Sequence, residues 1–195
     1  VVVATVPGLA MQGCHSIRVI GNQIFANNAP AVTPPGTPMS RAPSGSGIFV
    51  LSTSKVEIAG NVVKDHVTFN LALCSFVVTG LEITDPKFYP FPESVFVHDN
   101  TFGACGSAPK DDFGNLVMGL ASLPVPDIIW DGVVNPQKVS NGQLPEELKL
   151  HIVNNKKDGG GDVTFANIDA LIALTDPANV GVKRDLSEHK GELAP

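Results

Sequence analysis

The stretch "SIRVIGNQIF", residues 16–25, places apolar Ile17, Val19 and Ile24 on either side of a Gly21-Asn22 pair. A Gly-Asn pair between two strand-like runs is a hairpin signal. The pattern returns, however, as "KVEIAGNVVK" (55–64), "SVFVHDNTFG" (94–103) and "LKLHIVNNKK" (148–157). A strand, an asparagine and another strand recur four times in the same sense. Antiparallel hairpins would alternate that sense, so the repeat points to parallel strands joined by crossovers.

"GLAMQGCHSIRVIGN" (8–22) aligns without a gap on "GIFVLSTSKVEIAGN" (47–61), and "NLALCSF" (70–76) and "NLVMG" (115–119) extend the first half of the unit. Three apolar columns follow. The first holds Leu9, Ile48, Leu71 and Leu116, with Met11, Val50, Leu73 and Met118 two residues on. The second holds Ile17, Val56, Val95 and Leu150, with Val19, Ile58, Val97 and Ile152; the third holds Ile24, Val63 and Phe102. Spacing by two puts each set on one face of its strand. Asn22, Asn61, Asn100 and Asn155 form a further column. Strands stack about 4.8 Å apart, so these amides can hydrogen-bond to one another, and Asn tolerates the left-handed backbone of a sharp bend.

Composition agrees with a mostly β chain. Charged residues are 16% of 195, and 19 Gly and 16 Pro imply many turns. The expectation is one all-β domain over 1–195: a right-handed parallel β-helix, a single-stranded solenoid of four to five coils, with inserted loops at 29–46, 77–93 and 120–146. "NIDALIALTDP" (167–177) is expected to close it as a strand. The net charge of -6 and the lack of a Lys/Arg cluster disfavour nucleic acid. No apolar run reaches the roughly 18 residues of a membrane span. Cys14, Cys74 and Cys105 have no CxxC spacing; three thiols, or one disulfide and a free thiol, both fit.

On "GIFVLSTSKVEIAGN", "FNLALCSF", "DPKFYPFPESVFVHDNTF", "PDIIWDG" and "DLSEHKGELAP", the chain resembles the bacterial right-handed parallel β-helix repeat proteins of the pectate-lyase-like superfamily. The resemblance implies export to periplasm, cell surface or exterior, and a glycan-related role without a fixed reaction. It also implies further coils or a partner at the N-terminal end, where Val1–Val6 reads as an uncapped strand.

The loops are where ligands are expected. "APAVTPPGTPMSRAPSGSG" (29–47) reads as a Pro-rich surface excursion or a lid, with Arg41 its only charge. "DPKFYPFPES" (85–94) offers Phe88, Tyr89 and Phe91 as rings that could stack on a sugar, and "PVPDIIWDG" (124–132) adds Trp130 and Asp131. For catalysis the candidates are His66 and His98 as bases and Arg18 as the neutralising cation, with no cluster joining them; the bland alternative is surface histidines and an Arg18–Glu57 ion pair. No cofactor is expected. Calcium is the one metal considered, at "DGGGD" (158–162) through Asp158 and Asp162 or at "PKDD" (109–112), where a plain turn is the stronger reading. The lead expectation is an exported binding or presenting module directed at glycans, leaning away from catalysis. A uronate lyase or C5-epimerase and a structural envelope or assembly protein are the alternatives.

Overall fold

The protein is described by a computed structural model covering residues 1–30, 32–33 and 42–191. Arg41, named above in the possible lid, lies outside the described residues.

The strands make three parallel sheets, each taking every third strand of the chain. Sheet A contains β1 (Val2–Ala4), β4 (Ser46–Leu51), β7 (Phe69–Cys74), β10 (Ile128–Trp130) and β13 (Phe165–Asn167). Sheet B contains β2 (His15–Ile20), β5 (Ser54–Ala59), β8 (Val95–His98) and β11 (Leu150–Val153). Sheet C contains β3 (Gln23–Phe25), β6 (Val62–Lys64), β9 (Thr101–Phe102) and β12 (Lys156–Lys157). Two α-helices, α1 (Asp111–Ala121) and α2 (Ala170–Thr175), interrupt this order.

The expected all-β, single-stranded solenoid is therefore corrected. The chain forms separate sheets of five, four and four strands interleaved with helices, a parallel α/β arrangement. The descriptors solenoid and β-helix repeat protein go with that expectation. The physical reason is clearest in "NLVMG". Leu116 and Met118, two apart, read as strand; yet Gly114, Val117 and Ala121, three and four apart, are the residues buried, with Asp111 and Asp112 in the first helical turn. Spacing by three and four selects a helix, and acidic residues at its start complement the helix dipole. The sheet A position is taken instead by β10, whose Ile128 lies opposite Leu71. At the other end Leu9 and Met11 are exposed, and β1 pairs with β4 through Val3 and Val50. "NIDALIALTDP" likewise leaves β13 and becomes α2.

The second and third columns pair as registers. Ile17, Val56, Val95 and Leu150 lie side by side, as do Val19, Ile58, Val97 and Ile152. Ile24, Val63 and Phe102 follow in sheet C. With Ile48, Val50, Leu71, Leu73, Ile128 and Phe165 they form one apolar core between the sheets. Full burial of each such side chain stabilises by about 1.5–3 kcal/mol.

The asparagine column is a hydrogen-bonded ladder at the bend between sheets B and C. Backbone N and Nδ2 of Asn22 both donate to Oδ1 of Asn61, each at 2.9 Å. Asn61 repeats this on Asn100 at 3.0 and 2.9 Å, and Asn100 on Asn155 at 3.0 and 2.8 Å. The left-handed residue is the one before each rung: Gly21, Gly60, Asp99 and Asn154 have φ of 67°, 62°, 54° and 56°. The preceding residue makes the turn, which leaves the asparagine extended toward its neighbour.

Candidate functional site

A second bend, between sheets A and B, builds a polar cleft. Ser16, Lys55 and Ser94, each one residue before the paired Ile17, Val56 and Val95, have φ of 60°, 52° and 53°. Their left-handed backbone turns the chain sharply into sheet B and leaves a cleft of about 320 Å³ beside it. Cys14, His15, Ser54, Lys55, Tyr89, Glu93 and Lys138 are among the residues that line it, and Lys55 N donates to Glu93 O at 2.8 Å.

Glu93 is the electrostatic centre. It is 5% exposed, yet both oxygens are engaged: the Tyr89 hydroxyl donates to Oε1 and Lys138 Nζ donates to Oε2 at 2.7 Å. Asn135 Nδ2 donates to the Tyr89 oxygen at 3.0 Å, and the Lys138 ammonium lies 4.7 Å from the centre of the Tyr89 ring. Burial, followed by the hydrogen bond to Glu93, raises the Tyr89 hydroxyl above its usual range. The hydrogen bond to Glu93 raises Lys138. A buried carboxylate is tolerated when paired in this way. The result is a fixed set of hydrogen-bonding groups at the wall of an open cleft, with a further ammonium from exposed Lys55.

The five expected ligand residues are not brought together. Tyr89 alone lines the cleft. Phe88 is buried against Phe76, with ring centres 5.0 Å apart, and Phe91 packs on the same apolar cluster. Trp130 packs on the core and against His189, 5.2 Å between ring centres. Asp131 is fully buried. Its Oδ2 accepts from Ser75 N and Ser75 Oγ, both at 2.6 Å, and its Oδ1 from Val133 N at 3.1 Å. Burial nevertheless pushes its pKa up to about 6.

The histidines separate. His66 is 1% exposed, its Nδ1 3.0 Å from Asn70 Oδ1, and burial lowers its pKa. His98 lies on the outer side of sheet B, where the structure forms a cluster that sequence reasoning missed. Arg18 Nε donates to Glu57 Oε2 at 2.7 Å, Glu57 Oε1 lies 3.2 Å from His98 Nε2, and Asp99 Oδ2 lies 2.7 Å from His98 Nδ1. Phe96 stacks on His98 at 4.1 Å. The hydrogen bond from Arg18 is the main cause holding Glu57 below the usual carboxylate range. The available signal was the 39-residue offset that sets Arg18 beside Glu57 and Ala59 beside His98.

At the calcium candidates, Asp158 accepts from Lys64 Nζ at 3.0 Å, and the backbone of Asp162 bridges to Lys156. Among the described residues, no three His, Cys, Asp or Glu side chains converge as a metal site. No helix among them is long and apolar enough to cross a membrane. Cys14, Cys74 and Cys105 are all free thiols. Lys138 went unmarked in the sequence because it stands in no periodic column. No family model matches the chain, and neither a curated protein nor a solved structure does.

Proposed function

We propose that the protein is a binding module that takes a polyhydroxylated, glycan-type ligand in the cleft between sheets A and B. The observation that carries this reading is the buried Glu93 carboxylate, held by Tyr89 and Lys138 at the wall of an open cleft. Fixed donors and acceptors on a rigid wall suit a ligand rich in hydroxyls, because they need no reordering on binding. Ser54, His15 and Lys55 line the same cleft and add polar groups to it. Export to periplasm, cell surface or exterior belongs to the same proposal.

Glycan-array screening followed by calorimetry tests it. The wild-type chain is expected to retain at least one class of oligosaccharide, and Lys55→Ala and Tyr89→Phe to weaken it by roughly tenfold. Binding that neither variant alters, or an array without any retained glycan, would overturn the assignment.

The Arg18–Glu57–His98–Asp99 chain favours one second reading, acid–base chemistry on a uronate. His98 Nε2 would serve as base once the substrate displaces Glu57 from it, with Asp99 holding Nδ1–H, and Arg18 would neutralise the substrate carboxylate. An absorbance assay for unsaturated uronate, repeated on His98→Ala, decides it: turnover abolished by that change supports the reading, and no turnover ends it.

A further inference from the structure

The outer side of sheet A carries a groove chemically different from the cleft. Over β7, β10 and β13 the sheet is covered: Val117 and Ala121 of α1 and Ala170 of α2 join Ala72, Ile129 and Ala166 in one buried cluster. Over β1 and β4 the same face opens into a groove of about 810 Å³. Ala4, Phe49 and Leu51 contribute to it from the strands, Phe76 and Val78 from the turn after β7, and Phe113 and Leu116 from α1. The volume falls within the roughly 300–1,000 Å³ range of ligand pockets.

Among the described residues that line this groove, Asp111 and Asp112 are the only ionisable side chains. Both are exposed, and Asp111 Oδ2 also accepts from Ser44 N at 2.8 Å. They stand in the first turn of α1, where the helix dipole supplies about +0.5 charge. Two carboxylates exceed that, and the neighbouring Lys110 ammonium is held on Asn28 O at 3.2 Å, so the described part of the mouth is negative. An anionic head group would meet repulsion there and a cationic one attraction.

We infer that this groove binds an amphiphile with an apolar body and a protonated amine head. The body lies on Phe49 and Leu51, and the head faces Asp111 and Asp112. The neutral dye Nile red serves as reporter of the groove, with dodecylammonium and dodecanoate as competitors below their micelle concentrations. Dodecylammonium is expected to displace the dye roughly tenfold more effectively than dodecanoate, and Asp112→Asn to cut that preference by about threefold. Leu51→Trp, which fills the floor, is expected to abolish dye binding. Asp112 is exposed, so its variant keeps the test open where Leu51→Trp fails to fold. Equal displacement by the two amphiphiles, a preference untouched by Asp112→Asn, dye binding retained in folded Leu51→Trp, or no dye binding to wild type would each overturn the inference.

Discussion

The outer faces of sheets A and B share one interior and differ in every other respect. Sheet B turns Arg18, Glu57, Phe96 and His151 outward, and the first two are partly or fully open to water. Sheet A turns Phe49, Ala72, Ile129 and Ala166 outward, and all four are buried, largely beneath helices. The inward residues of the two sheets are interchangeable in kind, so the core does not decide which face is covered. The outward residues do: an apolar row must be hidden, and the helices are what hide it. Sheet B's outer face can therefore lose its exposed Arg18 side chain cheaply, and sheet A's buried row cannot be cut at similar cost.

The largest expected effect follows from that contrast. Phe69 is fully buried, its ring 6.2 Å from Phe49 and 5.7 Å from Phe113, where α1 meets the sheet. Phe69→Ala should cost about 3–5 kcal/mol in urea unfolding. Arg18→Ala, which removes an exposed ion pair, should stay within about 1 kcal/mol. Similar losses at both positions would break the comparison.

The same contrast explains what could be read beforehand. Sheets B and C were legible because their strands recur with one spacing and their asparagines mark the bend between them. The helix that covers sheet A was not legible. A helix of 11 residues carries only three turns of pattern, and "NLVMG" satisfies a strand period as readily as a helical one. The residues meeting at the cleft were harder still. Glu93 and Lys138 are 45 apart in sequence, and the segment bearing Lys138 has no repeat to set its register. Chemistry assembled from non-periodic segments leaves no mark in a single chain. The Arg18–Glu57–His98 cluster, by contrast, was present in the register and lacked only the diagonal step from β5 to β8.

The asparagine ladder ranks next, and it sharpens the comparison by adding a polar system that is fully satisfied. Asn100 accepts from Asn61 N and Nδ2, and donates through Nδ2 to Ile58 O, His98 O and Asn155 Oδ1. Asn100→Ala strands several buried groups at once, and each buried polar group left unpaired costs about 1–3 kcal/mol. A loss of about 2–4 kcal/mol is expected. Asn22 stands at the exposed end and accepts from no other rung, so Asn22→Ala should cost about 1 kcal/mol. Thermal unfolding of both variants reads the gradient. Equal losses would mean that the ladder contributes per rung and not through its buried middle.

Asp131 supplies the reverse case, a buried polar group that is satisfied and still costly. Its pKa is pushed up to about 6 by burial, which outweighs the hydrogen bonds from Ser75 and Val133. A raised folded-state pKa means that the folded chain binds the proton more tightly than the unfolded one. The contribution of this acid to stability is therefore present below about pH 4, and it is lost as the pH rises through about 6. His66 and His189 act in the opposite sense: burial lowers both, so their contribution is present above about 6.5 and is lost as the pH falls. Wild-type stability mixes the two, so the wild-type profile cannot isolate Asp131. The difference between wild type and Asp131→Asn can, because the histidine terms cancel. Across pH 4 to 6.5 that difference should move by about 2–3 kcal/mol, in favour of the variant at the higher pH. Urea unfolding at several pH values measures it. A difference that stays constant across the window would show that Asp131 remains ionised throughout, with Ser75 and Val133 stabilising its charge as fully as water does.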